Sequence, residues 1–239
     1  MPKAAGRKQS TRAGSPAGGN GSAGAIRQRN VEAILKAAEQ VFSKQGFSGA
    51  STAEIAAMAK VPKANLHYYF RTKQDLYARV LDTILSVWLD AMDEIQPDAD
   101  PAEALSHYIA RKIAASRESP DLSRIWAMEL IGGARHVQPF LRRRLRALVR
   151  EKSAVIEGWI AAGRIVPVDP AHLLFMIWSV TQTYADFSSQ IAAVLGRRTL
   201  DARVFDDATV TVSALVLRDL GLLPMAAPSP PARQRRQGA

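Results

Sequence analysis

In the stretch KVPKANLHYYFRTKQDLY (residues 60–77), Lys63, Asn65, His67, Tyr68, Tyr69 and Lys73 put ammonium, amide, imidazole and phenol groups within a few turns of chain. These types suit one kind of chemistry. Lysine ammoniums and tyrosine hydroxyls reach phosphate oxygens, and an asparagine amide pairs bidentately with adenine in a major groove. Just upstream, Ser51 and Thr52 add hydroxyls at the start of a short helix, where free backbone amides also attract phosphate.

Other chemistries fare poorly. The chain has no cysteine, which removes disulfides, thiolate metal sites and cysteine nucleophiles and points to a reducing cytoplasm. His67, His107, His136 and His172 are scattered without metal-ligand spacing, and no nucleophile elbow is present. The sequence GGNGSAG (residues 18–24) lacks the preceding strand and the following Gly-Lys of a phosphate loop. No enzyme and no cofactor are expected. The longest apolar run, LLFMIWSV (residues 173–180), falls well short of the ~18 residues a membrane span requires, so a soluble protein is expected.

Charge points the same way as the aromatic stretch. The net charge is +10, but residues 1–30 carry six Lys/Arg and no acid, whereas residues 81–140 carry ten acids against five bases. A basic end on an acidic body is an electrostatic footprint for a polyanion. The cluster RRRLRALVREK (residues 142–152) reads differently: Leu141, Leu145, Leu148, Val155 and Trp159 form an inward stripe, with the arginines on a solvated face.

The elements that position these groups are helices. Val31, Ile34, Leu35, Ala38, Val41 and Phe42 form one apolar stripe that Gly46 and Phe47 terminate. Ser51 and Glu54 have capping-box spacing for a two-turn second helix, and Pro62 separates it from a third. Together they make a helix-turn-helix. Thr72 and Asp75 cap a long fourth helix, with Leu76, Val80, Ile84, Val87 and Trp88 inward and an end near Gln96. Further helices are expected at 101–118, 121–133, 137–162, 170–195 and 201–220, giving an all-α protein of about nine helices. Residues 1–25 and 224–239 read as disordered tails. Residues 26–74 form the helix-turn-helix domain, and residues 75–223 a larger helical domain.

The run GFSGASTAEIAAMAKVPKANLHYYFRTKQDLY resembles the DNA-binding domain of TetR-family transcriptional regulators. It carries the family's helix-two Thr and Ile-Ala, the turn Val, and the Leu-x-Tyr-Tyr-Phe-x-x-Lys-x-x-Leu signature. It departs at Lys60, where the family has Gly, and at Pro62, where it has a Ser-type cap. The resemblance extends over residues 26–222, and EKSAVIEGWIAAGRIVPVDPAHLLFMIWSVTQTYADF (residues 151–187) is similar to family members that regulate pyrimidine utilisation. It implies a homodimeric repressor-type regulator that binds double-stranded operator DNA and is released by uracil or thymine.

A flat ring with two carbonyls and two N–H groups needs a stacking surface and an amide that donates and accepts at once. Trp178 and Gln182, one turn apart, supply both. Trp88 would form the opposite wall, and Trp126, Tyr184 and Asp186 are further candidates. The helix over 170–195 is apolar on two faces, one for the domain's own cavity and one for a partner subunit. Ile177, Val180, Tyr184, Phe187 and Ile191 mark one face, and Phe175, Trp178, Gln182 and Asp186 the other. Both assignments of faces to jobs fit the sequence. So do a TetR-type regulator for another small molecule and, from pattern alone, a helical adaptor that binds no DNA.

Overall fold

The computed structural model describes residues 19–223, and every regular element among them is helical. Helix α1 (Gly19–Gly49) starts earlier than expected, so residues 19–25 are helical where a disordered tail was anticipated; residues 1–18 and 224–239 lie outside the described residues. Extending an existing helix costs no new nucleus, and Ala23 and Ala25 favour the extension. Gly46, at φ 66°, breaks α1 where the sequence placed its stop.

Helices α2 (Thr52–Met58) and α3 (Lys63–Tyr69) follow, and then α4 (Lys73–Ala91). The Thr72/Asp75 capping box closes in both directions at 3.0 Å. The Ser51 box does not form: Ser51 Oγ caps α2 by accepting from the Ala53 amide instead of the Glu54 amide, and the Glu54 carboxylate accepts from Gln45 Nε2 at 2.8 Å. On α4 the inward stripe is Leu76, Tyr77, Val80, Leu81, Leu85 and Leu89. Val87 is 45% exposed, contrary to expectation, because it sits on the opposite face of the turn from Leu85 and Leu89. Helix α4 also ends before Gln96, at Ala91, with a 3-10 turn over Met92–Glu94.

Helices α5 (Pro101–Glu118) and α6 (Pro120–Ile131) pack behind α4. The stretch expected over 137–162 is a short α7 (Gln138–Phe140), a π-helical segment Leu141–Leu145, and α8 (Arg146–Ala161). Its arginines are exposed, but Lys152 is buried, with Nζ on the Ile95 carbonyl at 3.2 Å and the Glu151 carboxylate at 3.0 Å. The expected 170–195 helix breaks at Phe187 into α9 (Pro170–Asp186) and α10 (Ser188–Val194), and α11 (Ala202–Asp219) closes the fold.

Two apolar clusters organise these helices. One joins Ile34 and Phe42 of α1, Ile55 of α2, Leu66 of α3 and Tyr77 of α4 to Leu122, Ile125 and Trp126 of α6. The other holds α5, α8, α9 and α11 together around Leu105, Ile109, Trp159, Leu174, Ile177 and Val212. Helices α1 and α4, which flank the helix-turn-helix, therefore pack directly on α6.

Candidate functional site

The turn between α2 and α3 is built from backbone hydrogen bonds. The Lys60 amide donates to Ala57 O at 3.1 Å and the Val61 amide to Ala56 O at 3.0 Å, with Lys60 at φ 57° between them. That is a Schellman turn with lysine in the left-handed position glycine usually fills. Pro62 then starts α3 through its carbonyl, which accepts from the Leu66 amide at 3.2 Å.

Leu66 and Phe70 are buried and anchor α3, leaving Lys63, Asn65, His67 and Tyr68 exposed along its outer side. Tyr68 is 74% exposed. Ser51 is exposed and Thr52 half-buried at the start of α2. Tyr69 is half-buried, its hydroxyl accepting from Asn30 Nδ2 at 3.4 Å, with its ring edge-on to Tyr68. Lys73 is committed to the fold. Its ammonium donates to the Phe47 and Ala50 carbonyls at 2.8 and 3.0 Å and lies 4.6 Å from the Phe47 ring centroid, leaving at most one N–H for a phosphate.

A second site lies inside the larger helical unit: a cavity of about 110 Å³ between α4, α5, α6, the Leu141–Leu145 segment and α9. An engineered apolar cavity of about 150 Å³ takes up benzene, so this one is in the range of a single small ring. Trp88, Trp126 and Trp178 all line it, with Gln182 beside Trp178. Trp88 and Trp126 meet edge to face at 5.7 Å. Trp178 Nε1 donates to the Tyr108 hydroxyl at 2.6 Å, which fixes the indole and leaves the phenol proton free to donate.

Tyr184 and Asp186 do not line the cavity. Tyr184 packs on Phe205 at 6.2 Å in a groove on another side of α9. Asp186 accepts from Ser123 Oγ at 2.6 Å. Burial raises the Asp186 pKa, and Ser123, Lys112 and Arg124 oppose that rise.

Lys112 is the cavity residue the sequence reading missed. It is 2% exposed, and its Nζ sits 3.9 Å from the Trp88 ring centroid. Among the described residues neither its ammonium nor the Gln182 amide has a hydrogen-bond partner. Burial pulls its pKa down to about 7 against the attraction of Asp186. A signal was available: Leu105, Tyr108, Ile109, Lys112, Ile113 and Ser116 form the buried stripe of α5, and a lysine in such a stripe is out of place unless used.

Between the two sites stands a polar hub. The buried Glu129 carboxylate accepts from Tyr77 OH at 3.1 Å and from the His136 amide at 2.7 Å, and it lies 3.0 Å from His136 Nδ1. The His136 ring in turn lies 4.3 Å from Phe47 at the end of α1.

Comparisons with known proteins agree with both halves. A family model described as "Bacterial regulatory proteins, tetR family" matches residues 34–80, and one described as "YcdC-like protein, C-terminal region" matches residues 81–223. The HTH-type transcriptional regulator RutR of Escherichia coli K12 is 41% identical over 189 residues, covering 79% of this chain and 89% of RutR. The HTH-type transcriptional repressor NicS of Pseudomonas putida is 30% identical over 198 residues, covering 80% and 92%. The crystal structure of SCO4942 from Streptomyces coelicolor superposes with a TM-score of 0.61 at 25% identity, covering 80% of this chain and 96% of that one. These relatives are regulators of transcription and not enzymes. With α2, the turn and α3 inside the residues matched to the first model and the larger helical unit matched to the second, the chain belongs to the TetR family of DNA-binding transcriptional regulators.

Proposed function

We propose that this regulator acts as a homodimeric repressor in the cytoplasm, and that a pyrimidine such as uracil or thymine, held in the α4–α6/α9 cavity, releases it from its operator. The observation that carries this reading is the cavity's lining: three indoles and one unpaired amide around a space the size of one ring. The Gln182 carbonyl can accept from a ring N–H while its NH₂ donates to the neighbouring ring carbonyl. The resemblance to regulators of pyrimidine utilisation supports the same ligand.

On the DNA side, Lys63, Asn65, His67 and Tyr68 meet the major groove, Asn65 reading base edges. Ser51, Thr52, Tyr69 and the remaining Lys73 donor hold phosphates. The exposed Phe175 and Met176 of α9 and Phe187 at its end, with Val210 and Leu215 on α11, give a second copy an apolar face to cover.

Uracil binding is tested directly by intrinsic fluorescence, since three of the four tryptophans line the cavity. Saturable quenching by uracil and thymine is expected. Emission indifferent to both would assign the cavity to a different small molecule.

A further inference from the structure

Lys112 is the one cationic side chain lining the cavity, and its position is unusual in three ways. It is almost wholly buried, it has no hydrogen-bond acceptor among the described residues, and its Nζ lies over the Trp88 indole. The charged groups around it are few. From α9 it feels Asp186, which Ser123 and Arg124 of α6 already engage. Helix α4 and the Leu141–Leu145 segment present only apolar or indole surfaces, Leu85, Trp88, Leu141 and Leu145 among them. Of the polar groups lining the cavity, the Tyr108 oxygen already accepts from Trp178 Nε1, and its own proton is a donor, as Nζ is.

An ammonium so placed faces a desolvation cost that the indole and a carboxylate outside the cavity lining only partly offset. A ligand oxygen opposite Nζ would supply the missing acceptor. We propose that Lys112 sets which rings the cavity accepts: it selects a flat ring that presents an electron-rich or anionic oxygen to Nζ, and binding places a proton from solvent on the Lys112 amine.

The proposal rests on the cavity being the effector site. The proton balance is simple: an amine that is partly neutral in the empty cavity becomes a full ammonium against the ligand oxygen, and water or buffer supplies the proton. The downward pull of burial on Lys112, to about 7, makes the empty-state amine available near neutral pH. Pairing with an acceptor raises the bound-state value. Affinity is therefore flat below about pH 7 and falls above it, by up to roughly tenfold per pH unit until the bound-state value is reached. A ring lacking an oxygen at that position gains nothing from Lys112. The neighbouring Gln182 amide is too weak an ion partner to replace it.

The test measures affinity for uracil and for benzoate at pH 6.5, 7.5 and 8.5, by calorimetry in two buffers of different ionisation heat, on the full chain and on Lys112→Met. Methionine keeps the aliphatic stem and its packing on Trp88. The parent is expected to lose about tenfold in affinity between pH 7.5 and 8.5 and to show proton uptake, and Lys112→Met to show neither. A parental circular-dichroism spectrum and a cooperative thermal transition show that the variant folds. Uracil binding with pH-independent affinity, or an equal pH response in Lys112→Met, would overturn the proposal and leave the pyrimidine reading standing. Benzoate binding with the predicted pH response but no uracil binding would do the reverse. Binding of neither would sink both.

Discussion

The Tyr77 hydroxyl donates to the buried Glu129 carboxylate at 3.1 Å, and this bond ties α4, which leaves the helix-turn-helix, to α6, which carries Trp126 into the cavity one turn earlier. Burial first, and then the Glu129 charge, push the Tyr77 pKa far up, so the phenol stays a donor at every physiological pH. The same carboxylate grips His136, whose ring packs on Phe47 at the end of α1. A ring that displaces Trp126 therefore has a packed route to both ends of the DNA-reading unit.

Tyr77→Phe cuts that route at one bond. Removing a donor from a buried carboxylate costs about 1 to 3 kcal/mol. Uracil affinity of the DNA-free variant should stay at the parental value, while the uracil concentration that releases the operator shifts several-fold. Parallel calorimetry and mobility-shift titrations measure the two quantities. An unchanged release curve would remove Tyr77 from the coupling.

Lys60 holds φ 57° in the turn, a conformation that disfavours every residue with a Cβ. Lys60→Gly should raise the thermal midpoint, corresponding to about 1 kcal/mol of added stability. A lowered midpoint would show that the lysine stem stabilises the turn by contacts that outweigh its backbone strain.

Asn65 and Tyr69 should separate readout from grip. Asn65→Ala is expected to relax preference at particular base pairs, by about 1 to 3 kcal/mol at those positions. Tyr69→Ala should weaken binding to all sequences alike, since it removes a half-buried support of α3 that bonds Asn30. Binding to a randomised operator library, sequenced before and after selection, distinguishes the two. An unchanged profile for Asn65→Ala would refute its readout role.

Much of this was legible before the structure. Helical period, Gly46, Pro62 and the Thr72/Asp75 box placed α1 to α4 to within a few residues, apart from the early start of α1 and the early end of α4, because local chemistry decides those boundaries. The Trp178 and Gln182 pair was visible as a one-turn spacing, and both line one cavity with Trp88 of α4 and Trp126 of α6. Tyr184 and Asp186 share α9 but point elsewhere, and period alone does not say which neighbour covers which face. The break at Phe187, where φ is −113° and ψ 26°, carries no Gly or Pro to announce it. The Glu129 hub depends on Tyr77, 52 residues away, which no short window records, whereas Lys112 stood in a legible apolar stripe of α5. Lys73 has a second role that the family signature does not announce: its ammonium also caps the Phe47 and Ala50 carbonyls.

The central claim is that ligand capture and DNA reading occupy separate parts of one chain, joined by α4 and α6. Gln182→Ala removes the amide from the cavity wall and touches nothing in α2 or α3. The most direct measurement is an operator-binding titration with uracil, run in parallel on the parent and on Gln182→Ala. The parent should leave the DNA as uracil rises, while the variant binds the operator with parental affinity and needs roughly ten- to a hundredfold more uracil to leave it, the equivalent of a lost buried hydrogen-bond partner. A variant released at the parental uracil concentration, or a parent that stays bound through saturating uracil and thymine, would contradict the account.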